Sequence, residues 1–296
     1  KKLIEYVNYL KGFEKEGICS LLIKDTTLEI INDTKNNIEN KVSLEYLDKT
    51  TAKIRAKNFN KIATVTPETM KDGMSFVATG SVNSEKYSSQ ITGVLIETKD
   101  KILRLAGTDG VRCCIYDTVC DQESNYSVVV PSHTARAISN IASVLNKNAD
   151  VCYSSTYFVC DFGNVVIYSS KLNVEFPSLR GLFDFSGSTI SVDYNDFTNI
   201  LRGASIAGKE EQDNKIEIKL ANNTLLVSST GFNTSCKINN TINDSKPVVA
   251  FMNVLFLYSL CSFFKSKDVV LQFGENAIKI SNEENNKLAF LALLKV

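Results

Sequence analysis

Eight cysteines and a single histidine are the softest ligands and nucleophiles in this 296-residue chain, and their spacing argues against most chemistry. Cys19, Cys113, Cys114, Cys120, Cys152, Cys160, Cys236 and Cys261 contain no Cys-x-x-Cys pair, and His133 is the lone imidazole available to join them. A zinc site is therefore not expected. Without a secretory signal, the expected state is reduced thiols buried as small hydrophobes. No Gly-x-Ser-x-Gly elbow, Gly-x-x-x-x-Gly-Lys-Ser/Thr loop or His-Glu-x-x-His helix supplies a nucleophile, a phosphate cradle or a metal. The carboxylate pairs Glu210-Glu211 and Glu283-Glu284 fall in polar, turn-like stretches and read as solvated. No catalysis and no cofactor are expected, and a hydrolase or transferase would need a convergent polar pocket that these residues do not outline.

The charges point to a class of partner by what they lack. Thirty-three basic and 33 acidic residues cancel, which disfavours a protein held on nucleic acid by releasing counterions from many phosphates. Retention by topology is not excluded by a neutral chain. The most apolar run, Val248 to Phe264, is broken by Asn253, Ser259 and Ser262 and reads as a core helix, not a membrane span. The start, Lys1-Lys2-Leu3-Ile4-Glu5, has no signal-peptide layout, so a cytoplasmic protein is expected.

The elements that position these residues repeat with a period near 120 residues. The strand Tyr126 to Pro131 leads into a helix, Ser132 to Leu145, with Ile138, Ile141, Ala142 and Leu145 on one face and Ser132 as its N-cap. Three short strands follow within Val151 to Ser169. The same order returns at Pro247 to Phe251, a helix over Asn253 to Phe264, and strands at Asp268, Ala277 and Lys287. A third copy starts midway, with a helix carrying Leu3, Val7 and Leu10 and strands from Cys19, Thr27 and Lys41. Upstream halves repeat too. Thr66-Pro67 opens a helix bearing Met70, Met74 and Val77, and Tyr194-Asn195-Asp196 opens one bearing Phe197, Ile200, Leu201 and Ala204 and closed by Gly208. Each half holds one amphipathic helix and one half-buried sheet, and neither buries its apolar face until paired. Joined edge to edge, such units predispose the chain to an α+β arc with helices lining the inner side and sheets outside.

Within this frame, residues 62 to 296 resemble the bacterial beta sliding clamps, the DNA polymerase III beta subunits. The segment Leu103 to Arg112, Leu-Arg-Leu-Ala-Gly-Thr-Asp-Gly-Val-Arg, is similar to the family's strand ending in Ala-Thr-Asp-Gly-His-Arg. Val130-Pro131 heads a helix at the matching interval, and Ser170-Lys171-Leu172 with Glu175-Phe176-Pro177 follows in order. The resemblance implies three clamp domains, at 1–61 (its second half only), 62–182 and 183–296. It implies a head-to-tail homodimeric ring around duplex DNA that serves DNA replication as a processivity factor. A groove between the second and third domains would then take short hydrophobic peptides of the polymerase and the clamp loader. Matching groove positions are Ile91, Thr108, Gly110, Val111, Arg112 and Cys113 on one side. On the other they are Met252, Leu255, Glu275 and Ala277, with the tail Phe290, Leu291, Ala292, Leu293, Leu294, Lys295 and Val296.

Asp109-Gly110 is also an ordinary hairpin-turn signal, and both readings hold if the turn presents Arg112 and its apolar neighbours to a partner's anchor. Val111 replaces the family's usual His, Cys113 its Leu, and the ending Leu293-Leu294-Lys295-Val296 replaces Met-Pro-Met-Arg-Leu. An apolar groove with a different preferred peptide is implied. Cations on the repeat helices, namely Lys2, Lys11, Lys71, Arg136, Lys147, Arg202, Lys209, Lys265 and Lys267, are the expected DNA-facing set, touching phosphates without reading bases. The alternative is a clamp-fold scaffold that binds partner peptides without encircling DNA, and self-association separates the two.

Overall fold

The computed structural model describes residues 19–23, 27–33, 39–45, 59–82, 91–121, 124–221, 223–241, 248–282 and 286–295. The chain divides into two compact units, Lys1–Lys57 and Asn58–Val296. In the first, β1 (Cys19–Ile23), β2 (Thr27–Asp33) and β3 (Glu39–Glu45) form an antiparallel meander in that order. The expected helix bearing Leu3, Val7 and Leu10 lies outside the described residues, and Lys2 and Lys11 lie outside them too.

The second unit runs β4 (Asn60–Val65), α1 (Pro67–Gly80), β5 (Gly93–Lys99), β6 (Ile102–Thr108), β7 (Arg112–Val119), β8 (Tyr126–Pro131), α2 (Ser132–Leu145), β9 (Ala149–Tyr153), β10 (Tyr157–Asp161) and β11 (Val166–Ser170). A short helix, α3 (Arg180–Phe183), sits in the connection that follows. The order then recurs as β12 (Ser188–Asp193), α4 (Tyr194–Ala207), β13 (Lys215–Ala221), β14 (Thr224–Ser229), β15 (Phe232–Thr241), β16 (Val249–Asn253), α5 (Val254–Cys261), β17 (Asp268–Phe273), β18 (Ala277–Ser281) and β19 (Lys287–Ala292). Strand, helix and three-strand meander thus appear twice before α3 and twice after it.

Pairing ties each half to its neighbour. The leading strand β4 adds to the meander of the other half through β9, and β8 returns the exchange through β5. After α3, β12 pairs with β17 and β16 with β13 in the same way. Neither half completes its sheet alone, which is why the unit folds as a pair. Between these pairs, β19 lies antiparallel on β7, from Lys287 opposite Tyr116 to Leu291 opposite Arg112. The outcome is a 12-stranded sheet, ordered β16-β13-β14-β15-β12-β17-β18-β19-β7-β6-β5-β8, beside a 4-stranded sheet β11-β10-β9-β4.

The helices start where local chemistry says they should, with one exception. Thr66 Oγ1 accepts the Thr69 amide at 3.3 Å, with Pro67 at the first helical position. Asp193 caps α4 by accepting the Asp196 amide, and Asn253 caps α5 by accepting the Phe256 amide. Ser132 does not cap α2: it is already helical and 2% exposed, and its hydroxyl donates to the Val82 carbonyl at 3.1 Å. A buried hydroxyl must find an acceptor, and here the connection before β5 supplies it. The helix expected to reach Phe264 stops at Cys261. Phe263 and Phe264 bond back to Leu260 and Cys261 in tighter turns and swing their rings to 5.4 Å and 5.6 Å from Phe76 of α1.

Packing follows the predicted faces. Met70, Met74, Val77, Phe197, Leu201 and Ala204 are buried in a continuous apolar core beneath the helices. α1 packs on α2, α4 on α5, and α1 touches α5, so the four long helices form one layer. A smaller cluster, built on Leu95, Ala106, Ile115 and Val129, carries the connection 172–185 through Leu172, Phe176 and Phe185. Glu175-Phe176-Pro177, prominent in the sequence, belongs to this strap.

Candidate groove and helical face

The turn joining β6 to β7 is held by one carboxylate. Asp109 Oδ1 accepts the amides of Val111 at 2.9 Å and Arg112 at 2.6 Å, while Oδ2 takes Arg112 Nε at 2.8 Å. Arg112 Nη2 completes the ion pair at 2.8 Å, and both side chains are largely buried, 15% and 9% exposed. Gly110 sits at φ +86°, which a Cβ would strain. Thr108 Oγ1 donates to the Arg112 carbonyl and accepts the Gly110 amide. The guanidinium so fixed lies 4.1 Å from the centre of the Phe256 ring on α5, a cation–π contact across the β7–β19 junction.

The tail is stitched to the same place. Amides of Ala292, Leu293 and Leu294 donate to the carbonyls of Val111, Asn276 and Phe251 at 2.9, 2.9 and 2.7 Å. Turn 108–112, turn 274–277 and the free edge of β16 are thereby drawn together by one strand end. A cleft of about 800 Å³ opens there, lined by Val249, Phe251, Glu275, Asn276 and residues 292–295. Val111, Leu255 and Val249 are 43%, 38% and 49% exposed, so an apolar rim faces solvent.

The predicted groove residues divide by depth. Val111, Leu255, Glu275 and Lys295 are exposed, and Ile91, Arg112, Ala277, Ala292, Leu293 and Leu294 are half-buried. Thr108, Cys113, Met252, Phe290 and Leu291 are buried and form the backing, because strand alternation points them at the core or under the strap. Gly110 is the turn itself, Ile91 precedes β5 with its carbonyl on the Val82 amide, and Val296 lies outside the described residues. Phe251, Phe256 and Asn276 were not singled out by sequence. Their signal was faint: each stands one residue from a position that was.

Burial pushes the Cys113 thiol up to about 12, with the Asp109 charge adding to it. Cys114, Cys160 and Cys261 are raised further by burial. These thiols are packing groups held neutral.

Of the helical cations, Lys71, Lys147, Arg202, Lys209, Lys265 and Lys267 are exposed. Arg136 is half-buried and donates Nη2 to the Ala78 carbonyl at 2.7 Å, so it serves the C-terminal end of α1. Lys71 and Lys265 meet Lys287, which sequence did not pick, around a cleft on the helical layer.

Repeated strand-helix-meander halves, exchanging strands and joined edge to edge beneath one helical layer, define a clamp-fold protein. The DnaN sliding clamp of Pseudomonas aeruginosa bound to griselimycin superposes with a TM-score of 0.80 at 12% identity, over 99% of this chain and 80% of that one. The polymerase sliding clamp of Bacillus subtilis gives 0.78 at 14% identity, over 94% and 75%. The family model described as the DNA polymerase III beta subunit, central domain, matches residues 64–178. Among curated relatives, the beta sliding clamp of Staphylococcus epidermidis is 24% identical over 152 residues, and that of Buchnera aphidicola 22% over 222. These matches span 40% and 60% of the relatives' own lengths, and 51% and 72% of this chain. Residues 64–178 match the central domain of the DNA polymerase III beta subunit family, and the chain shares the fold of the beta sliding clamps.

Proposed function

We propose that the chain is a non-catalytic DNA polymerase processivity factor. It encircles duplex DNA as a head-to-tail dimer of three-domain subunits (1–61, 62–182 and 183–296) and tethers polymerase and clamp loader through the groove. The observation that carries this reading is the β7–β19 junction: repeats of this unit join by pairing their outer strands while their helices stay on one side. The same mode of joining, continued between copies, extends an arc toward a ring. A neutral chain fits a protein that stays on DNA by enclosure and slides.

The groove reading rests on the apolar rim beside a rigid turn. An exposed Val111 and Leu255 flank a backbone frame fixed by Asp109, so a partner's apolar side chain meets a preorganised surface. Light-scattering mass, with retention on circular but not linear DNA after loading, tests the ring. A monomer retained on neither, with loading controls working, leaves the peptide-binding scaffold. Val111→Asp with Leu255→Asp tests the groove. Affinity for a short apolar peptide from the replicative polymerase should fall more than tenfold with the melting temperature little changed, and equal affinity removes the groove from the proposal.

A further inference from the structure

The cleft at the free edge of β16 has a counterpart in the preceding repeat. The Leu294 amide donates to the Phe251 carbonyl on that edge, and at the matching position the Leu172 amide donates to the Val129 carbonyl on the free edge of β8, at 2.8 Å. Turn 274–277, closed by the Gly274 amide on the Ala277 carbonyl, is matched by turn 154–157, where the Ser154 amide bonds to the Tyr157 carbonyl. Around these parts opens a cleft of about 900 Å³, floored by Glu97 and Arg104 and bounded by Ser127, the turn residue Thr156 and the strap from Lys171 to Phe183. β8 is the end strand of the 12-stranded sheet, and the strap pairs with it through a single bridge, Val129 to Leu172. Because the Val129 carbonyl points away from β5, strand alternation turns the amide and carbonyl of Ser127 the same way. Both face the cleft with no backbone partner among the described residues, and an unpaired strand edge is a template for another strand.

We infer that this cleft takes an extended stretch of polypeptide as a strand added to β8, and that the stretch is the flank of the peptide held in the groove. The lining favours main-chain recognition over charge. Arg104 is engaged by Asp117 at 2.8 and 2.6 Å and by the Phe183 ring at 4.7 Å. Lys171 and Arg180 on one side and Glu97 and Glu175 on the other form no ion pair among the described residues, and their charges balance. The Lys171 ammonium lies 5.8 and 5.7 Å from the Tyr126 and Tyr153 ring centres. Continuity with the groove argues for the occupant. Thr108 of the groove turn and Arg104 of the cleft floor stand on the same strand, β6, separated by roughly 13 Å of extended chain. β8 lies beyond β5, two strand spacings or roughly 10 Å from β6. The diagonal, roughly 16 Å, is crossed by about five extended residues. The choice of occupant rests on the groove reading, whereas the free edge does not.

The full chain is titrated by calorimetry with peptides of the replicative polymerase: the short apolar motif alone, and the motif lengthened by about eight native residues at one end or the other. One of the longer peptides should bind about fivefold or more tighter than the motif, and on binding it should protect the Ser127 amide from hydrogen exchange. Ser127→Pro removes the edge amide while leaving the pairing to β5 in place, and it should abolish that gain with affinity for the motif alone unchanged. Thr156→Trp, at an exposed position in the cleft wall, should block the flank by bulk and serves where the proline variant does not fold. Equal affinity of motif and longer peptides, or a gain that survives both variants, would overturn the inference and leave the groove standing. If the motif does not bind at all, the groove reading falls. The flank alone protecting the Ser127 amide would then still support the strand site, and no protection would sink it as well.

Discussion

Asp109 satisfies two backbone amides and the Arg112 guanidinium at once, so its loss uncouples the turn from α5 as well as unpairing a charge. Asp109→Ala should destabilise the protein by about 2–4 kcal/mol, since a largely buried cation loses its partner. Urea unfolding measures it, and a cost below about 0.5 kcal/mol would mean that solvent replaces the carboxylate freely. The buried thiols make a second residue-scale prediction. With the Cys113 thiol pushed up to about 12, only on the order of one part in ten thousand is thiolate at pH 8. Cys113, Cys114, Cys160 and Cys261 should therefore resist iodoacetamide in the native protein and react once it is unfolded. The sign for stability follows. Folded thiols ionise above the unfolded value of about 8.5, so the unfolded state loses protons first. This contribution is intact below that pH and is lost as pH rises toward 12 and beyond. A melting temperature that climbed between pH 8.5 and 10.5 would contradict it.

Two joints between elements depend on close backbone approach. A Cβ on Gly107 of β6 would lie 2.1 Å from the Val77 carbonyl of α1, so only glycine lets helix and strand meet there. Gly107→Ala should force α1 off the sheet and cost several kcal/mol, read from the unfolding midpoint, and a tolerated alanine would mean the helix has room to slide. The tail supplies the other joint. Deleting residues 292–296 removes the amides that bond to Val111, Asn276 and Phe251 but keeps the β7–β19 ladder from Lys287 to Leu291. The expected outcome is a folded protein with native exchange protection in β19 and at least tenfold weaker peptide binding. Full peptide affinity would show that the tail is not part of the floor.

At the scale of the whole molecule, ionic contact and enclosure have opposite salt signatures. Direct contact through a few exposed lysines should fade as salt screens it, with a Debye length near 10 Å at 0.1 M. A closed ring, by contrast, should remain on circular DNA through a wash at about 0.5 M salt and leave once the circle is cut. Loss from the uncut circle in that wash would argue for ionic binding in place of enclosure.

Much of this was legible in the chain. Helix faces such as Met70, Met74 and Val77, the cap Thr66, and the Asp109-Gly110 turn follow from periodicities and side-chain chemistry acting over a few residues. The repeat was readable for the same reason, because each half must carry its own helix and meander. What the sequence could not determine is who pairs with whom. Nothing local to Phe290 or Cys113 says that β19 lies on β7, that Met252 becomes backing while Leu255 stays at the rim, or that Arg112 finds the Phe256 ring. Nor does Ser132 announce that its hydroxyl will leave the helix end for Val82. Those choices are made when distant edges and faces meet and every buried polar group must find a partner, an interaction that spans far more of the chain than any local pattern can encode.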